Sequence, residues 1–324
     1  MTYIIAEMSA NHNGSYRRAL DIIRAAKHAG ADAVKIQLYT PDTLTIDCAE
    51  KDFVVAKPWE GETLYSLYQK AHMPWSWVGG LCDEAEKVGI EIFPTVYDKS
   101  SLEFAECYPF KRYKISSFEI VDIPLLRLVA KTGKPIILST GGASVEEIDL
   151  AVETIAAVEN EGLTLLKCTS AYPALPDSMD LIGIQRLSKR YCLPVGLSNH
   201  SLGATAAIAA VALGATVLEH HFSLDGAGVD GVFSMNPGEF KVMVDSIREV
   251  EKMLQPCPVA SPSEFRKSIY AISDIKAGER FGPSNVRVIR PGYGLAPKHW
   301  DSLIGRVAKC NIKYGTALDM EMVA

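Results

Sequence analysis

Two lysines stand inside runs that are otherwise apolar or uncharged: Lys35 in Ala33-Val34-Lys35-Ile36-Gln37, and Lys114 in Tyr113-Lys114-Ile115. A lysine so placed is a salt-bridged core residue, a Schiff-base nucleophile or an anion clamp. Schiff-base chemistry normally uses one desolvated lysine. Two lysines with hydroxyls at Thr95, Ser117 and Ser170 point instead to phosphate and carboxylate held together. His200 and His221 each close a short apolar run, Pro194–Leu197 and Val217–Glu219. If those runs are neighbouring strands, about 4.7–4.9 Å apart, the two imidazoles are placed to share one metal ion and leave positions open for substrate and water. The neighbouring His220 should point to the opposite face by strand alternation. Three carboxylates, Glu7, Glu119 and Glu219, fall at the ends of similar runs, as do Gln37, Thr140 and Ser198. So many charged groups are costly to gather unless they pair or bind something.

The elements that must position these groups alternate regularly. Strands are expected at Tyr3–Ala6, Ala33–Gln37, Glu91–Thr95, Tyr113–Ile115, Pro135–Ser139, Thr164–Cys168, Pro194–Leu197 and Val217–Glu219. Helical patterns follow them at Tyr16–His28, Pro74–Val88, Ser100–Cys107, Pro124–Lys131, Val145–Val158, Met179–Arg190, Ala204–Leu213 and Gly238–Leu254. Eight such units in roughly 250 residues count out a (β/α)₈ TIM barrel, whose active site lies at the C-terminal strand ends. Gly30 and Gly89 sit where a left-handed residue ends a helix, and Ser144 with Glu147 forms a capping box. The stretch Leu38–Met73 breaks the rhythm and is expected to be a functional loop, a lid. The barrel is assigned to residues 1–254, a proline-rich linker to 255–267 and a small β-rich module to 268–324.

The 324-residue chain is 48% hydrophobic with a net charge of −6. Nothing in that balance favours nucleic acid or an acidic membrane surface, so an anionic substrate needs a locally positive site. No apolar run reaches the ~18 residues of a membrane span. The opening lacks the basic region and cleavage site of a signal peptide. Seven scattered cysteines without a CxxC pair read as reduced thiols. A cytoplasmic location is the expectation.

Ile5-Ala6-Glu7-Met8-Ser9-Ala10-Asn11-His12-Asn13-Gly14 and Ala31-Asp32-Ala33-Val34-Lys35-Ile36-Gln37 resemble the opening of the sialic acid synthase family. Further matches run in order through Lys114-Ile115-Ser116-Ser117-Phe118-Glu119, Ser139-Thr140-Gly141, Cys168-Thr169-Ser170-Ala171-Tyr172-Pro173, Gly196-Leu197-Ser198-Asn199-His200 and Glu219-His220-His221-Phe222. The tail Arg290-Pro291-Gly292-Tyr293-Gly294-Leu295 is similar to the family's antifreeze-like (SAF) domain. The insertion Trp59–Ala71, with Pro74-Trp75 and Tyr39-Thr40-Pro41-Asp42-Thr43, looks most like the pseudaminic acid synthase branch.

The resemblance implies condensation of phosphoenolpyruvate with an open-chain N-acetylated amino sugar, giving a nonulosonic acid and phosphate. The branch implies 2,4-diacetamido-2,4,6-trideoxy-altrose as the sugar. By the same resemblance, His200 and His221 hold a divalent ion, typically manganese. Lys35, Thr95, Lys114, Ser117, Ser170 and Ser198 bind phosphoenolpyruvate. Glu7 and Gln37 orient the sugar, Tyr172 and Asp230 contact substrate, and Glu119 or Glu219 stabilises developing charge or activates water. Arg290 matches an arginine that reaches the partner subunit's active site, which implies a domain-swapped homodimer. The chain departs from the family at Asn199, usually aspartate, at His220, usually lysine, and at Pro94-Thr95-Val96-Tyr97. Those changes put substrate identity in play. The alternatives are an N-acetylneuraminate, legionaminic or spore-coat-type synthase, a catalytically silent sugar-binding relative, and a Schiff-base aldolase.

Overall fold

The structure is a computed structural model describing residues 1–55, 61–256 and 265–324. Trp59 and Glu60 of the insertion motif, Cys257 and most of the proline-rich linker lie outside the described residues.

Eight parallel strands close into a barrel in sequence order: β1 (Tyr3–Glu7), β2 (Ala33–Leu38), β3 (Glu91–Val96), β4 (Tyr113–Ile115), β5 (Ile136–Ser139), β6 (Leu163–Cys168), β7 (Val195–Asn199) and β8 (Val217–His221). Each strand lies within two residues of its expected bounds, because a parallel strand buried on both faces must be nearly continuous in apolar residues. Closure comes from β1, which pairs with both β2 and β8. Ile4, Val34, Phe93, Ile115, Leu138, Leu165, Leu197 and Leu218 share one buried core, each fully buried aliphatic side chain contributing roughly 1.5–3 kcal/mol over its exposed state.

The helices bury one stripe each. In Tyr16–His28 the buried positions are Ala19, Ile22, Ile23 and Ala26, the i, i+3, i+4, i+7 spacing of a helix laid on a sheet. Ser15 caps its N-terminus by accepting from the Arg18 amide at 3.3 Å. The helix Val145–Ala156 starts on the expected Ser144–Glu147 capping box. Gly30 and Gly89 adopt φ of +91° and +70°, a conformation that side chains with a Cβ resist. The expected helices Pro74–Val88 and Met179–Arg190 start later, at Val78 and Gly183, after the 3₁₀ turns Trp75–Trp77 and Pro176–Ser178. Each delayed start has a proline at or beside the turn, which sets the backbone without completing the α-helical ladder.

The stretch Leu38–Met73, expected as a loop, contains two α-helices among its described residues, Pro41–Leu44 and Leu64–Ala71. Both carry capping boxes, from Thr40 to Thr43 and from Thr63 to Ser66.

The chain divides into two compact units, Met1–Gln255 and Pro256–Ala324. The second contains an antiparallel pair, β9 (Ser268–Ala271) with β10 (Val286–Ile289). Its own core gathers Ile269, Phe281, Val286, Leu303, Ile312 and Leu318. Among the described residues no helix is long and apolar enough to cross a membrane.

Candidate active site

Strand register sets the site. Glu7 lies opposite Lys35 on one side and His221 on the other, Gln37 opposite Thr95, Thr95 opposite Lys114, and Ser198 opposite Glu219. These side chains surround the C-terminal mouth of the barrel, where a cavity of about 420 Å³ opens. Lys35, Gln37, Lys114, Ser117, Glu119, Tyr172, Ser198, His200, Glu219, His221 and Asp230 line it. Glu7 and Thr95 stand behind Lys35, and Ser170 lies beside Cys168. Arg290 is exposed in the second unit, just after β10.

The two lysines differ sharply. The Lys35 ammonium lies 2.8 Å from Glu7 and 3.7 Å from Glu219, and donates to Thr95 Oγ1 at 3.0 Å. Burial works against its charge, but Glu219 and Glu7 hold it protonated. Lys114 is 2% exposed, and its Nζ donates to the Ile115 carbonyl at 2.9 Å and to Ser139 Oγ at 2.6 Å. Among the described residues it forms no ion pair with a carboxylate. Burial drives its pKa down, Glu219 pulls it back up and Lys35 lowers it further. A buried cation without a counter-ion is an incomplete arrangement, and a dianion completes it.

Further hydroxyls lie beside the neighbouring Gly141. Ser117 Oγ accepts from the Gly141 amide at 3.0 Å. A Cβ at Gly141 would fall 2.3 Å from Ser170 Oγ, 2.8 Å from Ser117 Oγ and 3.0 Å from Cys168 Sγ. Glycine there keeps the cradle open. Ser139 is a site residue that sequence reasoning missed; Thr140 was chosen instead, and its hydroxyl donates to the Leu166 carbonyl at 3.0 Å, away from the cavity. Strand alternation from Lys114 through its cross-strand partner could have pointed to Ser139.

Among the carboxylates, burial pushes Glu7 up to about 7, with Lys35 pulling down and Glu219 pushing up. Gln37 donates to Glu7 Oε1 at 2.8 Å and to Ser9 Oγ at 3.1 Å. Burial also opposes ionisation of Glu219, yet Lys35, Lys114 and His200 keep it below the ordinary value. Ser198 donates to its Oε1 at 3.2 Å. Glu119 is raised by burial and accepts a hydrogen bond from Ser116. Asp230, likewise raised by burial, accepts from the Ala10 amide at 3.1 Å.

The His200 and His221 rings lie 5.3 Å apart between centroids, with Tyr172 4.4 Å from His200 and Phe233 4.9 Å from His221. His200 Nδ1 is 3.0 Å from the Thr169 carbonyl; burial opposes its charge, but Cys168 and that carbonyl raise its pKa, so an ion at Nε2 would displace a proton. His221 is held well below the ordinary value by burial, then by the His200 and Lys35 charges, and its buried Nδ1 has no hydrogen-bond partner. A neutral imidazole with an unpartnered nitrogen fits a divalent cation. Among the described residues no cluster of three or more His, Cys, Asp or Glu is arranged to hold an ion, so the protein offers an imidazole pair and not a closed cage. His220 turns away: its ring nitrogens meet the His221 and Ser201 carbonyls at 3.0 and 3.2 Å. Asn199 Oδ1 accepts from the Ser201 amide and hydroxyl at 3.1 and 2.8 Å. Asn199 and His220 therefore shape the backbone behind His200 and His221 and stay out of the cavity, whereas the third departure, Pro94-Thr95-Val96-Tyr97, reaches it through Tyr97.

A group of aromatic and aliphatic side chains, most of them from the stretch expected as a lid, completes the lining. Tyr39, Tyr68 and Tyr97 meet edge to face at 5.7 and 5.3 Å, with Leu44, Val55, Leu64, Leu67 and Ala71 beside them. Nothing in the sequence separates such residues from core.

Residues 22–257 match the NeuB family model, and residues 266–324 match the SAF domain. The pseudaminic acid synthase of Campylobacter jejuni is 43% identical over 98% of this chain and 95% of its own length. That of Helicobacter pylori is 37% identical over 98% and 96%. The crystal structure of the Bacillus subtilis spore coat polysaccharide biosynthesis protein SpsE superposes with a TM-score of 0.67 at 32% identity, covering 100% of this chain and 95% of that one. Strand-end lysines, an imidazole pair and a matching order of motifs across both units agree: the chain belongs to the NeuB family and carries a C-terminal SAF domain.

Proposed function

We propose that this chain is a pseudaminic acid synthase, condensing phosphoenolpyruvate with an open-chain 2,4-diacetamido-2,4,6-trideoxy sugar to give a nonulosonic acid and phosphate. One observation carries it: Lys114, buried and bonded to Ser139 in the cavity that Ser117 also lines, forms no ion pair with a carboxylate among the described residues. The near-full-length similarity to pseudaminic acid synthases supports the choice of sugar.

Lys114, Ser117, Ser139 and Ser170 hold the phosphate and carboxylate oxygens of phosphoenolpyruvate, with Lys35, Thr95 and Ser198 behind them. Gln37, Tyr172 and Asp230 orient the sugar so that its aldehyde carbon meets carbon 3 of the enol. As that carbon–carbon bond forms, positive charge develops at carbon 2, facing the ionised Glu219. The aldehyde oxygen gains a proton, for which Asp230, lining the cavity and raised by burial, is the acid at hand. Water adds at carbon 2 with its proton passing to Glu119 or Glu219, and the tetrahedral adduct expels phosphate to leave the keto acid. His200 and His221 would hold a divalent cation, manganese by family resemblance, which supplies Lewis acidity at the sugar carbonyl when bound.

The SAF unit, residues 268–324, is proposed to bring Arg290 to the active site of a second copy in a swapped homodimer. The exposed apolar side chains Phe118, Leu175, Leu202 and Val232, each following a different strand at the barrel mouth, support such a covering. The cytoplasm, with its reduced thiols and phosphoenolpyruvate, is the proposed compartment.

Phosphate release from phosphoenolpyruvate, measured with manganese, a panel of amino sugars, and with or without chelator, tests the assignment. Release with the diacetamido sugar and loss on chelation support it. Release with no sugar at all sinks it.

A further inference from the structure

The cavity separates its charges. Lys35 and Lys114 lie at the strand ends with the two histidines, and the carboxylates Glu119 and Asp230 also line the cavity. Residues 39–55 and 61–71 contribute Leu44, Val55, Leu64, Leu67 and Ala71 with the phenols of Tyr39 and Tyr68 as another wall. Not one charged side chain of that segment lines the cavity among the described residues. Among its described charges, Lys70 pairs with Glu62, and Asp42 accepts from the Tyr65 hydroxyl at 3.3 Å. Helix Leu64–Ala71 therefore shows the cavity an apolar stripe (Leu64, Leu67, Ala71) edged by one hydroxyl.

Resting on the synthase assignment above, we infer that Leu64, Leu67 and Tyr68 are specificity-determining residues that select an acceptor sugar whose far end is uncharged and methyl-bearing, and exclude one ending in a phosphate ester. Phosphoenolpyruvate is drawn to the strand-end cations, so the acceptor's far end meets the wall. Deoxy and acetamido methyl groups gain from leaving water against leucine, and Tyr68 and Tyr39 offer hydroxyl donors to an acetamido carbonyl. A phosphate ester there would be desolvated with no cation among the described residues of that wall to receive it and with Glu119 and Asp230 in the same cavity.

The test uses the full-length enzyme with manganese and three acceptors: the 2,4-diacetamido-2,4,6-trideoxy sugar, N-acetylmannosamine and N-acetylmannosamine 6-phosphate. kcat/KM for the deoxy acceptor should exceed that for the phosphorylated one by about 10³-fold or more, since a desolvated charge left unpaired is rejected strongly. In Leu64→Lys and Leu67→Lys the ratio should fall by about tenfold or more, through acceptor KM, with the KM for phosphoenolpyruvate unchanged. Tyr68→Phe, which keeps the packing, should raise the acceptor KM several-fold and guards against misfolding of the lysine variants. Equal use of deoxy and phosphorylated acceptors, an unchanged ratio in the folded lysine variants, or an unchanged acceptor KM in Tyr68→Phe overturns the inference and leaves the synthase intact. Absence of phosphate release with every acceptor overturns both.

Discussion

The floor of the cavity and its lid wall are made of opposite materials. The floor is a ring of strand ends in which Glu7, Lys35, Lys114 and Glu219 are buried charges held by a closed hydrogen-bonded barrel. The wall is two short capped helices and their connections, carrying leucine, valine and tyrosine to the same space. Buried charge needs a scaffold that does not relax, because any slack lets water or a wrong partner neutralise it. An apolar wall needs only shape. The chemistry common to a family can therefore stay in the floor while the wall changes with the sugar.

Substitutions at the floor should break that division most visibly. His200→Ala is expected to abolish metal-dependent phosphate release while the melting temperature stays close to the parent's. Removing the divalent ion with chelator should do the same to the parent enzyme, with recovery on adding manganese. A fully active His200→Ala protein would remove the metal assignment.

Lys114→Met should lower kcat/KM by about 10³-fold, the scale of losing a preorganised charge stabiliser. It should not lower stability, because a buried cation without a counter-ion is exchanged for an apolar chain of similar length. Lys35→Met is expected to differ in thermodynamics. It strands Glu7 and Glu219 without their shared cation, and removing one partner of a buried pair costs about 3 kcal/mol or more. Denaturant unfolding of the two variants side by side separates them. Equal destabilisation would mean that Lys114 has a hidden counter-ion.

Arg290→Ala sharpens the comparison from outside the barrel. An activity drop of about 10²-fold, with an unchanged barrel by circular dichroism, is expected if Arg290 completes the site of a second copy. Mixing Arg290→Ala with His200→Ala protein should then restore part of the activity, since each copy supplies what the other lacks. No recovery in mixed dimers would argue that the arginine acts elsewhere.

Legibility in the sequence followed the same division. A lysine between Val34 and Ile36 is conspicuous because the barrel interior rejects charge, and each strand ends where polarity returns. The floor could thus be read residue by residue, save Ser139, which sits beside the more conventional Thr140. Pairing could not be read: that Lys35 is engaged by Glu7 and Lys114 is not depends on register between strands far apart in sequence. The wall was legible as a segment, a lid between two barrel units, but its individual side chains were not. Leu64, Leu67 and Tyr68 have the composition of core, and only the cavity beside them distinguishes their role. The two capping boxes, Thr40 to Thr43 and Thr63 to Ser66, were local signals for its helices, hidden because the partner at N3 is Thr or Ser instead of Glu or Gln.

Those caps offer the finest test. Thr63 Oγ1 accepts from the Ser66 amide at 3.1 Å, and Ser144 Oγ accepts from the Glu147 amide at 3.2 Å. Either residue changed to alanine removes the same kind of bond, worth about 1 kcal/mol. The consequences should diverge, because one helix belongs to the barrel and the other to the wall. Ser144→Ala should lower the global melting temperature by a few degrees, about 2–4 °C for a unit of this size, with both substrate KM values unchanged. Thr63→Ala should leave global melting almost untouched, since the short helix Leu64–Ala71 can open without the barrel. It should instead quicken amide exchange across residues 64–71 and raise the KM for the acceptor sugar but not for phosphoenolpyruvate. A fall in global stability equal to that of Ser144→Ala would show that wall and floor unfold as one body, and the separation of chemistry from sugar choice would lose its structural basis.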